Sequence, residues 1–109
     1  MADLTGRTAL VTGGTSGIGK AAALDLLTKS WAAEFGSKGV RVNGVSPGPT
    51  RTEGTEAMGE ALDQLASVAP AGRPATPEEI AAGILFLVSD DASFVHGAVL
   101  AADGGRTAT

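Results

Sequence analysis

The ten residues from Leu10 to Gly19 constrain this 109-residue chain more than any other segment. They read Leu-Val-Thr-Gly-Gly-Thr-Ser-Gly-Ile-Gly, so an apolar β-strand leads through spaced glycines into a helix. Glycines in such a turn let the backbone approach phosphate oxygens, and the free amide groups at the helix N-terminus attract them. The segment therefore predicts a phosphate-binding loop of the kind used for dinucleotides.

Apolar spacing predicts the remaining secondary structure. The predicted strands cover residues 8–12, 40–46 and 98–102, and the predicted helices cover residues 17–35, 53–68 and 77–89. The third helix has the clearest start, because Thr76-Pro77-Glu78-Glu79 forms a capping box. The side chains predicted to face the core are Leu24, Leu27, Trp31 and Phe35 on the first helix, Met58, Leu62 and Leu65 on the second, and Ile80, Ile84, Leu87 and Val88 on the third.

Composition excludes several classes of protein. The apolar fraction of 43% with 18% charged residues is typical of a globular chain. A net charge of −4 with scattered basic residues argues against a nucleic-acid partner. The absence of cysteine rules out disulfides and thiolate metal sites, and we predict no metal site and a cytoplasmic location. No apolar run approaches the roughly 20 residues of a membrane-spanning helix, and we expect neither a secretory leader nor a membrane partner.

Segments beyond the glycine loop carry a family resemblance. They are Val40-Arg41-Val42-Asn43, Ser46-Pro47-Gly48 with Thr52, Gly72-Arg73, Pro77-Glu78-Glu79-Ile80 and Asp103-Gly104-Gly105. In this order they closely resemble the C-terminal part of the short-chain dehydrogenases/reductases, while residues 1 to about 21 resemble the start of that family. The resemblance implies an NAD(P)-dependent hydride transfer between the cofactor and a carbonyl or alcohol substrate.

The same resemblance implies that the middle of a family member is missing. The absent part would hold the second to fifth strands, the catalytic serine and the Tyr-x-x-x-Lys pair, and the chain contains no tyrosine at all. Lys20 matches a position in the phosphate loop, and Ala21 stands where the family's lysine would be. We therefore assign no catalytic residue and expect no turnover from this chain alone.

The resemblance implies that two segments of this chain contact the cofactor. The glycine loop supplies Gly13, Thr15, Ser16, Gly17, Ile18 and Gly19, and the second segment supplies Pro47, Gly48 and Thr52, which match the family's loop beside the nicotinamide. For the second segment, a simple strand-ending turn is an equally good interpretation. Ser16 stands where NADP-preferring members often carry a basic residue, so between NAD and NADP the sequence leans toward NAD. Without the missing strands, we expect millimolar or weaker dinucleotide binding.

The resemblance implies an α/β fold: a small Rossmann-like three-layer arrangement with a reduced parallel sheet of about three strands, in one truncated domain of residues 1–109. Oligomerisation or strand exchange would complete such a sheet. Three hypotheses remain open: an inactive reductase remnant, a non-enzymatic interaction module, and an intact reductase whose middle segment is missing from this sequence. The first two predict a homo-oligomer or a hetero-oligomer with a full-length relative.

Overall fold

A computed structural model describes Gly6, residues 8–12 and residues 18–109, with side chains described from residue 22 onward. The main elements are β1 (Thr8–Thr12), α1 (Ile18–Phe35), β2 (Arg41–Pro47), α2 (Glu60–Ala66), α3 (Pro77–Val88) and β3 (Val99–Ala102). Short 3₁₀ segments cover Gly36–Lys38, Glu53–Met58, Asp90–Ala92 and Arg106–Ala108. In the described ranges, no helix is both long and apolar enough to cross a membrane.

The three strands form one parallel sheet in the order β1-β2-β3. Thr8 lies opposite Arg41 between the first two strands, and Gly44 lies opposite Val99 between the last two. This confirms the predicted α/β fold with a reduced parallel sheet. Each strand pairs with the next one in the chain, so the strand order follows the sequence order.

Helices α1 and α3 cover opposite faces of the sheet. Val42 packs against Ala32 of α1, whereas the Arg41 guanidinium donates hydrogen bonds to carbonyl oxygens at the end of α3, including Leu87 O at 2.8 Å. Successive side chains of a strand point to opposite faces, so these two neighbours identify which helix lies on which side. Leu100 of β3 lies 3.1 Å from the position that a Cβ on Gly83 would take, which also places α3 on the Arg41 face. The molecule therefore has three layers.

This arrangement gives the two crossover connections opposite hands. The chain moves across the sheet in one direction, from β1 through β2 to β3, but its helices alternate between the two faces. Parallel crossovers are almost always right-handed, because strand twist and helix hand favour that closure. One of the two connections in this molecule must therefore be left-handed.

The buried face of α1 differs from the prediction. Thr28 and Ala32 are buried and Leu24 and Phe35 are half-buried, whereas the predicted core residues Leu27 and Trp31 are 46% and 37% exposed. The small side chains face the sheet because they allow the helix to approach it closely. The prediction was right for Leu24 and Phe35 and wrong for Leu27 and Trp31.

The other two helices also depart in part from the prediction. The segment predicted as one helix over 53–68 breaks at Gly59, whose φ of 52° and ψ of −129° suit only glycine. In that segment Leu62 is buried as predicted, while Met58 and Leu65 are exposed. On α3 the predicted Ile80, Ile84 and Leu87 turn toward the sheet, but Val88 is 43% exposed because it lies on the flank of the helix.

Candidate functional site

The predicted phosphate loop lies largely outside the described residues. Gly13, Thr15, Ser16 and Gly17 are not described, and Ile18 and Gly19 form the first turn of α1 without described side chains. The described elements on both sides fix its connections, because β1 ends at Thr12 and α1 begins at Ile18. The loop therefore joins the carboxyl end of a parallel strand to a helix N-terminus, as the sequence predicted.

The second predicted segment leaves the carboxyl end of β2. Pro47 is the last residue of that strand, and the Gly48 amide donates a 3.0 Å hydrogen bond to Ala102 O at the end of β3. Thr50 then forms a parallel bridge with Ala75, and the Arg51 amide donates to Ala75 O at 2.9 Å. These bonds tie the loop to the segment that leads into α3.

Gly48 is required by packing against the neighbouring strand end. A Cβ at this position would lie 2.8 Å from Asp103 Cα and 3.0 Å from Asp103 O. The space that a side chain would need is therefore already filled by backbone of the same chain. Packing within the chain accounts for this glycine without a ligand.

Thr52 begins the 3₁₀ segment Glu53–Met58. Its amide donates to Thr55 Oγ1 at 2.8 Å, the Thr55 amide donates to Thr52 O at 3.1 Å, and the two hydroxyl oxygens lie 3.4 Å apart. The side chain of Thr52 is exposed. Thr52 thus takes part in a local cap, and its contact with a cofactor stays a prediction.

A cavity of about 190 Å³ opens beside this loop, at the carboxyl ends of β2 and β3. Its wall is largely small and apolar, formed by Gly48, Pro49, Ala66, Ala69, Ala71, Ala75, Ile80, Ala102 and Gly104. The charged groups on the wall, Arg73, Glu79 and Asp103, already have partners within the chain. The cavity therefore offers a small molecule mainly apolar contact.

Arg73 and Glu79 form a bidentate ion pair at the edge of the cavity. Arg73 Nη2 donates to Glu79 Oε1 at 2.7 Å, and Arg73 Nη1 donates to Glu79 Oε2 at 3.0 Å. These bonds, followed by the Thr76 amide that donates to Oε2, lower the pKa of Glu79 from 4.5 to about 2. The same carboxylate raises the pKa of Arg73. Glu79 thus completes the predicted capping box and also fixes Arg73.

Asp103 organises the turn that follows β3. Its carboxylate accepts bonds from the Thr107 hydroxyl at 2.7 Å, the Gly105 amide at 2.9 Å and the Thr107 amide at 3.1 Å. These donors, the Thr107 hydroxyl first, lower the pKa of Asp103. The arrangement is a C-terminal turn built around one aspartate.

Sequence reasoning missed two residues that hold this end of the molecule together. The amide nitrogen of buried Asn43 donates to Val95 O at 2.9 Å, and its oxygen accepts from the Ala98 amide at 3.0 Å. Arg41 binds three backbone carbonyls: Leu87 O, Ser89 O and Ala92 O. The available signal was a polar residue at alternate positions of an otherwise apolar strand.

The two segments predicted to contact the cofactor, the glycine loop and the Pro47-Gly48 turn, follow neighbouring strands. The glycine loop follows β1 and the Pro47-Gly48 turn ends β2, and these strands pair directly from Thr8 with Arg41 to Thr12 with Val45. Because the strands are parallel, both segments start at the carboxyl ends of the strands, on the same side of the sheet. Only one strand spacing, about 4.8 Å, separates the two strands.

Comparison with known proteins gives a consistent result. The family model described as enoyl-(acyl carrier protein) reductase matches residues 4–107. The 3-oxoacyl-[acyl-carrier-protein] reductase of Thermotoga maritima is 46% identical over 80 residues, which make up 72% of this chain and 32% of that enzyme.

Solved structures agree with this match. A double variant of a Serratia marcescens short-chain dehydrogenase/reductase has a TM-score of 0.84 at 32% identity, covering 94% of this chain and 46% of that one. A 4-hydroxyisoleucine dehydrogenase mutant complexed with NADH and succinate has a TM-score of 0.81 at 32% identity, covering 94% of this chain and 47% of that one. Another neighbour was solved with NADP bound.

These matches cover only part of each relative. The chain spans 29% to 35% of the length of the curated relatives that it matches, and just under half of the solved ones. Within the chain, by contrast, the family model leaves only the terminal residues unmatched. The chain therefore belongs to the short-chain dehydrogenase/reductase family.

Proposed function

We propose that this chain by itself is a non-catalytic member of its family and does not hold NAD(P) in the family's extended mode. The observation that carries the proposal is the absence of tyrosine from all 109 residues. The family's hydride transfer requires a phenol, activated by a nearby ammonium, that exchanges a proton with the substrate oxygen. Loss of such a proton donor alone lowers rates by about 10²–10⁴.

The strand order supports the second part of the proposal. In the doubly wound dinucleotide fold, with strand order 3-2-1-4-5-6, the first and sixth strands are three spacings, or about 14 Å, apart. By resemblance, β1 corresponds to the first strand and β2 to the sixth, and here they are direct neighbours. The loop for the phosphates and the loop beside the nicotinamide thus start about 10 Å closer together. An extended dinucleotide does not fit both.

The contacts of Gly48 and Thr52 also support weak binding of the cofactor. The space where a side chain of residue 48 would lie is occupied by the Asp103 backbone. The polar groups of Thr52 take part in the cap of the following 3₁₀ segment. A phosphate at the N-terminus of α1 would gain a few kcal/mol from amide bonds, less than the roughly 4–15 kcal/mol that association costs. We therefore expect millimolar or weaker affinity, with NAD preferred over NADP because Ser16 replaces a basic residue.

The first experiment is the intact mass of the purified protein under denaturing conditions, to be compared with 10.7 kDa. A matching mass would exclude the alternative of an ordinary reductase with an omitted middle segment. A mass more than twice as large would restore the serine, tyrosine and lysine, and the proposal would then be wrong.

The second experiment titrates the protein with NADH and NADPH, following cofactor fluorescence. A full-length family member such as the Thermotoga maritima reductase serves as the positive control. We expect no saturation below about 1 mM and no oxidation of cofactor with a carbonyl substrate panel. Saturable micromolar binding, or turnover above the rate without protein, would contradict the proposal.

A further inference from the structure

We propose that Asn43-Gly44 is a self-modification site, at which the unfolded chain converts its own asparagine to aspartate or isoaspartate and thereby loses the ability to refold. Asn43 is the only asparagine in the 109 residues, and a glycine follows it directly. Glycine has no Cβ to hinder attack by its backbone nitrogen on the preceding side chain. The inference concerns the chemistry of β2 and does not depend on the proposed function.

The conversion needs only water as co-reactant. The Gly44 nitrogen gives up its proton to hydroxide and attacks Asn43 Cγ, so that a new C–N bond closes a cyclic imide. The bond from Cγ to Nδ2 breaks, and Nδ2 takes up a proton and leaves as ammonia. Water then opens the imide at the side-chain carbonyl to give aspartate, or at the backbone carbonyl to give isoaspartate. No atom is oxidised or reduced.

The folded chain keeps the attacking nitrogen away from its target. The Gly44 amide donates a 2.8 Å hydrogen bond to Ala98 O, so its proton is already engaged. Asn43 and Gly44 are both buried, which keeps hydroxide and water from reaching them. Closing the imide also requires the ψ angle of Asn43 to leave the extended range of a β-strand. The reaction is therefore confined to chains in which β2 has opened.

The side chain of Asn43 is held at both ends. Nδ2 donates to Val95 O at 2.9 Å, and Oδ1 accepts from the Ala98 amide at 3.0 Å. A backbone carbonyl only accepts and a backbone amide only donates, so this pocket fits one donor and one acceptor in that order. Both bonds also hold Asn43 Cγ in place.

Neither product fits the same pocket. Aspartate would set an oxygen that only accepts against Val95 O, where no solvent hydrates its charge. Isoaspartate would lengthen the backbone of β2 by a methylene group. Because β2 lies between β1 and β3, that extra group would put both strand pairings out of register. Conversion thus turns reversible unfolding into irreversible loss of the folded chain.

The first measurement compares the rate of conversion in folded and unfolded protein. The purified chain is incubated in mildly alkaline buffer with and without about 6 M guanidinium chloride, and samples are digested with trypsin. Residues 42–51 form one tryptic peptide, in which Asn43 is the only side-chain amide and no carboxylate side chain is present. Conversion raises the mass of this peptide by about 1 Da. We expect the gain to be at least about 100-fold faster in denaturant, because it requires a buried strand to open.

Gly44→Ala is the matched variant for the chemistry. In denaturant its methyl group hinders closure of the imide, so conversion should slow severalfold, and this comparison does not require the variant to fold. Equal rates for the two sequences in denaturant would contradict the proposed reaction. Equal rates for the unmodified chain with and without denaturant would contradict the proposed protection by the fold.

The second measurement asks whether converted chains refold. After dilution from denaturant, gel filtration separates folded from unfolded chains, and the mass of peptide 42–51 is read in each fraction. The mass gain should be confined to the unfolded fraction. Asn43→Asp reproduces one product and should also remain unfolded at neutral pH, whereas Gln64→Glu, the same change at an exposed position, should fold. Converted chains or Asn43→Asp in the folded fraction would overturn the proposal.

Discussion

Arg41, Asn43 and Gly48 each fix the position of one backbone segment relative to another. Arg41 ties the end of α3 to the start of β2, and Asn43 ties the loop before β3 to the same strand. Gly48 lets the ends of β2 and β3 approach each other closely. At this scale, Arg41, Asn43 and Gly48 have packing or hydrogen-bonding roles within the chain.

Replacing Gly48 with alanine tests the packing role of that residue. The new Cβ would lie 2.8 Å from Asp103 backbone, so the free energy of unfolding should fall by about 1–3 kcal/mol. Chemical denaturation measures the change. Gly54→Ala is the control, since its Cβ would have Thr52 Oγ1 at 3.6 Å as its nearest neighbour and should change stability little. Equal effects of the two variants would refute this role of Gly48.

The ion pair between Arg73 and Glu79 predicts a dependence of stability on pH. The pKa of Glu79 is about 2 in the folded chain, below its ordinary value of 4.5. The carboxylate therefore stabilises the fold fully above about pH 4.5, and this contribution is lost as the pH falls toward 2. Glu79→Gln should flatten this part of the curve of unfolding free energy against pH.

The measurement for Glu79 is a set of denaturation curves between pH 2 and pH 6. Glu78→Gln, one residue earlier on the same helix, is the control for a change of net charge at an exposed position. If both variants retain the same acid-induced loss as the unmodified chain, the pair does not contribute as described.

At the scale of elements, the sequence predicted the bounds of a strand and a helix cap correctly, but it predicted the buried face of α1 only in part. The bounds of β1 and the cap at Thr76 follow from short patterns that act within a few residues, and the structure confirms them. The face of α1 that is buried depends on how closely the helix approaches the sheet, because a close approach admits only small side chains. Ala32 lies 3.3 Å from the position of a Cβ on Gly97, so a larger residue would not fit there. Apolar spacing alone favoured Leu27 and Trp31 instead.

Asn43 links two elements, and its replacement tests that link. In Asn43→Ala, Val95 O and the Ala98 amide lose their partners beside a side chain that is fully buried in the native chain. We expect the free energy of unfolding to fall by about 2–4 kcal/mol, measured by urea denaturation. Ser67→Ala, which removes an exposed bond to Gln64 O, should cost less than about 1 kcal/mol. A cost for Asn43→Ala no larger than this control would disprove the link.

At the scale of the whole molecule, the strand order β1-β2-β3 decides which loops lie side by side. The sequence predicted about three parallel strands, and the order β1-β2-β3 places the loops that follow β1 and β2 next to each other. Residue patterns did not reveal that the helices alternate between faces, because crossover hand depends on the closure of the entire sheet.

The agreement between strand order and sequence order also bears on how the chain folds during its synthesis. Thr8 pairs with Arg41, so the first β-α-β unit can close once residues up to Pro47 have left the ribosome. In a doubly wound sheet of order 3-2-1-4-5-6, the first strand lies between the second and the fourth, so one of its two neighbours is encoded later in the chain. Lower separation between contacting residues favours faster folding, and here each new strand adds to a sheet that already exists.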